Sequence, residues 1–144
     1  IDEATQNDGV YMDQSEQGII LFYPSVNKKP VCWKVKLMMI FIAIGPFRIT
    51  RVLRRKSKVE AMRSQYPPHI YCSFLGVLPE ARGTQAILEL RDILFQKSRE
   101  FQLPVMVETV IPKNKRIYER IGFKTYAEVE IEGLVTYCLI REWK

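Results

Sequence analysis

The sequence is short of the residues that metal chemistry requires. Among its 144 residues there is one histidine, His69, and three cysteines, Cys32, Cys72 and Cys138, with no C-x-x-C pair. That pattern excludes the familiar tetrahedral zinc sites, and no metal is expected. An odd cysteine count with every thiol in apolar surroundings gives no disulfide framework either. The three read as reduced core residues of a cytoplasmic protein. No apolar run approaches the roughly 20 residues of a membrane-spanning helix. The most apolar stretch, LMMIFIAIG over 37–45, is stopped by Pro46. The chain opens on Ile1 with no signal-peptide pattern, so its start is expected to be processed or truncated. Internal repeats and low-complexity tracts are missing.

What is present suits one domain spanning 1–144, with 47% apolar and 26% charged residues. The net charge of +6 is unevenly placed. Arg48, Arg51, Arg54, Arg55, Lys56, Lys58 and Arg63 fall close together, opposed only by Glu60. Such a run is either a solvated helix face or a surface that attracts polyanions.

The apolar pattern sets the order of elements. Residues 18–23 (GIILFY) read as a buried strand ending at Pro24. After a loop over 25–30, helices are expected over 31–44 and 47–64, separated by Gly45-Pro46. Beyond the turn at Tyr66-Pro67-Pro68, residues 70–77 (IYCSFLGV) give the strongest strand signal. A turn over 79–83 leads to a helix reaching about residue 102, with Ala86, Leu90, Ile93, Leu94 and Phe101 broadly on one face. A short strand over 105–109 and a helix over 112–121 closed by Gly122 follow. Alternating residues 124–130 and 134–141 around Glu132-Gly133 spell a hairpin. The unit from 70 to 109 should be a parallel crossover.

Two segments carry chemistry. The first is the junction Pro79-Glu80-Ala81-Arg82-Gly83-Thr84 between a strand and a helix. Unpaired N–H groups at a helix start, reinforced by the helix dipole, bind anions. Arg82 offers a guanidinium for phosphate, and Gly83 permits close backbone approach. An ordinary strand–turn–helix junction explains the same residues. The second is VETVIPKNKRIYERIGF over 107–123, where a strand ending at Glu108-Thr109 precedes Asn114, Tyr118 and Gly122-Phe123.

This second run resembles the final motif of GNAT acetyltransferases, and FLGVLPEARG over 74–83 is similar to their strand and pyrophosphate loop. The resemblance covers residues 70–144 well and reaches weakly back to about Gly9. It implies an α/β (α+β) fold: a mixed, mostly antiparallel sheet with a splayed parallel strand pair and helices on both faces. The family's opening strand and helix are poorly matched, so a fold shortened at its N-terminal side is expected. Residues 70–144 would form the cofactor-binding half, and 9–66 an early strand with acceptor-side helices.

The resemblance also assigns roles. The backbone of Leu75, Gly76 and Val77 would pair with the pantetheine arm of acetyl-CoA. Arg82, Gly83 and Thr84, with the N–H groups of Gln85 and Ala86, would hold its pyrophosphate. Asn114 would hydrogen-bond the cofactor, although an N-cap role suits it equally. Tyr118 would protonate the departing thiolate, unless it is a packing residue with its hydroxyl at the surface. Glu108 is the best candidate base for the attacking amine, its alternative being an ion-paired strand end. His69 is a second candidate base, and Tyr71 and Ser73 are candidates to line the acceptor side. Gln85 and Ile87 stand where the family uses Gly or Ala, and their side chains narrow the approach of phosphates. The expected activity is acetyl transfer from acetyl-CoA to a small-molecule or protein amine; a non-catalytic regulatory or scaffold domain is the alternative. No nucleic-acid recognition motif is found, so nucleic acid is not an expected partner, and a homodimer is left open.

Overall fold

The computed structural model of the chain describes residues 9–25, 46–66, 68–131 and 133–144. The expected helix over 31–44, residues 26–30, Cys32 and the side chains of Arg48 and Arg51 lie outside the described residues. Segments rich in β-branched and aromatic residues form the strands, because those side chains pack well on a pleated surface. These are β1 (Val10–Met12), β2 (Gly18–Pro24), β3 (Ile70–Val77), β4 (Val105–Thr109), β5 (Lys124–Ile131) and β6 (Leu134–Arg141). The helices are α1 (Pro46–Arg63), α2 (Gln85–Phe101) and α3 (Pro112–Arg120). No described helix is long and apolar enough to cross a membrane.

The six strands make one sheet in the order β1-β2-β3-β4-β6-β5, mixed and mostly antiparallel, as expected. The single parallel pair among the described strands is β3 with β4. Strand β1 was not legible in the sequence. It is held as a hairpin with β2 by the Asp13 carboxylate, which accepts from the N–H groups of Ser15 and Gly18 and from the Ser15 hydroxyl.

The helices cover opposite faces. Leu139 packs in the larger core with Ile20, Phe22, Val107 and the α2 residues Leu90, Leu94 and Phe95. Its neighbour Cys138 packs in a second cluster with Val129, Ile131 and Val59 of α1. Successive residues of a strand point to opposite faces. So α2 lies on one face, hereafter the α2 face, and α1 lies on the other. Tyr118 of α3 packs against the larger cluster and so shares the α2 face. Burial of each large apolar side chain in these clusters contributes about 1.5–3 kcal/mol. Both described cysteines, Cys72 and Cys138, are buried free thiols, in line with the expectation from sequence.

Candidate active site

The site begins with a bulge. Leu21 pairs with Phe74 and Phe22 with Cys72, so Ser73 is an extra residue on β3. A bulge bends its strand and strengthens the local twist. Pairing of β3 with β4 is confined to Ile70–Val105 and Tyr71–Met106, immediately before the bulge. Beyond it β3 stays bonded to β2 as far as Val77 but has no strand partner on the β4 side among the described residues. The two parallel strands therefore splay, and Leu75, Gly76 and Val77 present a free backbone edge to the opening. Ser73 itself is tied down, its hydroxyl donating to the Leu21 carbonyl at 3.2 Å. An open groove of about 340 Å³ between Met12, Ile19, Phe74 and Leu78 lies on the β2 side of β3, and no β4 residue lines it.

The free edge runs into the loop before α2. A 3₁₀ turn over Pro79–Ala81 carries the chain to Gly83, whose φ of +82° suits glycine and which has open space around it. Thr84 is the N-cap of α2. Its hydroxyl donates to the Ala81 carbonyl at 2.7 Å and accepts from the Ala86 N–H at 3.4 Å. That commits the Thr84 hydroxyl and the Ala86 N–H to the cap, and Ala86 is buried against the sheet. The N–H groups of Gly83 and Gln85 make no hydrogen bond among the described residues. Arg82 and Gln85 are exposed and Ile87 is half-buried, so neither flanking side chain fills the loop. An anion at this helix start would meet two unused donors, the dipole and Arg82.

Helix α3 differs from expectation at its start. Asn114 is not the N-cap; Ile111 is, with Pro112 at the first helical position. Proline is pre-organised for that position and lacks the N–H that would be orphaned there. Asn114 sits half-buried in the first turn, its N–H donating to the Ile111 carbonyl at 3.0 Å. Tyr118 packs edge-on against Phe123, 5.6 Å between ring centres, and its hydroxyl makes no hydrogen bond among the described residues. Burial pushes its phenol up to about 12, so it holds its proton at neutral pH. Gly122, at φ +96°, ends the helix as expected, and the next N–H, of Phe123, returns to the Tyr118 carbonyl at 3.0 Å.

Glu108 lies on the other face. It pairs across β6 with Cys138, two residues past the last β3–β4 pair, at the mouth of the splay on the α1 face. Its Oε1 accepts from Arg63 Nη1 at 2.9 Å and its Oε2 from the Tyr71 hydroxyl at 3.1 Å. The Arg63 guanidinium lies 3.9 Å from the centre of the Tyr71 ring, and Tyr71 meets Tyr23 edge-on at 5.6 Å. Burial opposes the charge on Arg63, but Glu108 and Tyr71 outweigh it and its pKa rises. Burial, then the Glu108 carboxylate, push the Tyr71 phenol upward. A second bulge, at Tyr126 between the pairs Thr125–Leu139 and Ala127–Cys138, brings that ring to 4.5 Å from Tyr66. The Tyr126 hydroxyl is buried and makes no hydrogen bond among the described residues. Burial and then Glu108 raise the nearby Cys138 thiol to about 11.

The structure thus brings Arg82, Gly83 and Gln85 to one end of the opening and sets Glu108 and Tyr118 on opposite faces of it. Arg63 departs from both readings of the basic run, a solvated helix face or a surface attracting polyanions: it is 8% exposed and paired with Glu108. Arg54, Lys56 and Lys58 are exposed, as a basic surface requires. His69 is buried at the start of β3, its N–H donating to Ser25 Oγ at 2.9 Å.

No family model matches the sequence. Solved structures do match. Naa20 of Chaetomium thermophilum in complex with a bisubstrate analogue aligns over 92% of this chain and 64% of its own, at 15% identity and a TM-score of 0.56. A histone acetyltransferase HPA2 and related acetyltransferase from Corynebacterium glutamicum aligns over 92% of this chain and 62% of its own, at 17% identity and a TM-score of 0.57. A mosquito arylalkylamine N-acetyltransferase like 5b gives 93% and 74%, at 10% identity and a TM-score of 0.59. This chain spans less than two thirds of the length of the first two. At these identities the likeness is one of fold, and the chain has the GNAT acetyltransferase fold.

Proposed function

We propose that the chain transfers an acetyl group from acetyl-CoA to an amine. The observation that supports this most directly is the free edge of β3 opposite a splayed β4, leading without interruption to a helix start with unused N–H donors. An extended amide-bearing arm ending in a pyrophosphate suits that combination: the edge would pair with the arm, and the helix start with the phosphates. The backbone of Leu75, Gly76 and Val77 would bind the arm. Arg82 and the N–H groups of Gly83 and Gln85 would carry most of the pyrophosphate, with Thr84 and Ala86 shaping the cap that presents them. Asn114 would add a polar contact from the first turn of α3.

Bound acetyl-CoA supplies an acyl group already activated as a thioester. The acceptor nitrogen forms a bond to the acyl carbon while the carbon–sulfur bond breaks. Glu108 takes the proton that the amine gives up, and the Tyr118 phenol protonates the departing sulfur. The raised pKa of Tyr118 keeps the acid loaded. Its place on the face opposite Glu108 suits two proton transfers at either side of one reacting centre. The names of the solved structures above mention a histone acetyltransferase, an arylalkylamine N-acetyltransferase and a complex with a bisubstrate analogue, so a small or a peptide amine fits this reading equally.

Calorimetry with acetyl-CoA, with dephospho-CoA and free acetate as controls, tests the binding half, and thiol release with a panel of amines tests the transfer. One-site acetyl-CoA binding and amine-dependent thiol release are the expected results. Binding without release under any amine points to a regulatory domain. A folded chain that does not bind acetyl-CoA overturns the proposal.

A further inference from the structure

The acceptor-side face contains a nest with a cation already in it. The Glu108 carboxylate, with an 18% exposed side chain, is the anion. Tyr71 supplies a hydroxyl to it and a ring face beneath the guanidinium, and Tyr23 packs against that ring. Tyr126 and Tyr66 pack against each other at a tilt at the other flank. A carboxylate among aromatic rings is a general recognition site for ammonium and guanidinium ions. Here the chain's own Arg63 fills it.

The described part of the helix that delivers Arg63 buries few side chains. Among its described side chains only Val59 and Arg63, one turn apart, are buried, while Leu53 and Met62 are exposed. Tyr66, just past its end, adds a ring contact. Segments with so few buried contacts open locally at low free energy. Each Glu108 oxygen already accepts one hydrogen bond, so a cationic ligand reaching that carboxylate must share it with Arg63 and Tyr71 or displace them.

We infer that the Arg63 guanidinium is an internal occupant of the acceptor's cation subsite, and that the acceptors of this chain are cationic amines that displace it from Glu108 and Tyr71. This rests on the acyl-transfer reading for its role, but not for its test. An occupant tethered to the same chain competes at high effective concentration, so a free cation binds weakly until the tether is removed. The face thereby selects against neutral amines and for ligands that offer a positive charge where the guanidinium now lies.

The test needs no acetyl-CoA. Methylguanidinium and butylammonium are titrated into the full chain, followed by the Tyr71 ring and Arg63 Nε–H resonances. Saturable shifts are expected in the native chain, with binding at least about tenfold tighter in Arg63→Ala, where the competitor is gone. Glu108→Gln should abolish the binding. Equal binding in Glu108→Gln, or no saturable shift in either native chain or Arg63→Ala, overturns the inference. If Arg63→Ala does not fold, the native chain and Glu108→Gln decide the matter between them. Cation binding without acetyl-CoA binding would keep the subsite and remove the transferase. Turnover of amines with no cation reaching Glu108 would do the reverse.

Discussion

Replacing Arg63 with methionine removes the charge and keeps most of the stem. At the observed 2.9 Å, the attraction between Arg63 and Glu108 is large even when strongly screened. Much of it offsets the desolvation of both groups, so the pair's net worth is small while its rupture is costly. Breaking a buried pair costs about 3–5 kcal/mol because one charge is stranded. Glu108 keeps the Tyr71 hydroxyl and some solvent exposure, which brings the expected loss to the lower end, about 3 kcal/mol. For a domain of this size that is a Tm decrease of about 6–12 °C. In a Glu108→Gln background the same replacement should cost less than about 1 kcal/mol, since no anion is left stranded. Arg63→Lys keeps the charge and loses the planar stack on Tyr71, so about 1 kcal/mol is expected. Urea denaturation of the native chain, both single variants and the double variant measures the coupling. A loss from Arg63→Met of the same size in both backgrounds would refute the ion-pair reasoning and leave Arg63 as packing alone.

Tyr118→Phe should lower turnover about 100-fold or more at unchanged acetyl-CoA affinity, measured by thiol release and calorimetry. Because burial puts that phenol at about 12, Tyr118 should cause no fall in rate as pH rises until that value is approached. Gln85→Pro should remove one unused N–H without disturbing the helix, since Gln85 is the first helical residue and Thr84 before it is extended at ψ −178°. Stability should then hold while acetyl-CoA binds about tenfold more weakly, the worth of a hydrogen bond to a charged group; an unchanged affinity would remove Gln85 from the phosphate site. The Asp13 carboxyl is held below its ordinary value chiefly by the Ser15 hydroxyl. A lowered folded pKa stabilises above the unfolded value of 3.8 and ceases to do so as pH falls through the folded one. Asp13→Asn should therefore melt earlier than the native chain at neutral pH, with the gap closing in acid below 3.8. Leu90→Ala, at a fully buried position, should cost about 2–5 kcal/mol in urea denaturation.

Elements whose pattern is local were legible in the sequence. The apolar runs of β2, β3 and β4, the amphipathic α2 and the hairpin of β5 and β6 lie where their periodicity placed them, give or take a residue. Strand β1 has three residues, too few for alternation to register, and exists because β2 is there to pair with it. Asn114 was open to a cap role because asparagine suits caps; Pro112 was the better signal, since a proline at the first helical position puts the cap at residue 111. The bulges were not legible at all. Ser73 sits in an unbroken strand-like run, and only the pairing with β2 shows it to be the extra residue.

The same limit applied to Arg63, and it bears most directly on function. Charge runs on helices are read as solvated, which holds for Arg54, Lys56 and Lys58. Which residue of such a run turns inward depends on the line of contact with the sheet, here Val59 and, four residues on, Arg63. The partner that makes burial tolerable, Glu108, is 45 residues away. An arginine can be buried only where a carboxylate awaits it. So Glu108 and Arg63 become intelligible together or not at all: the carboxylate explains the buried cation, and the cation holds one oxygen of the carboxylate that the proposed transfer would use.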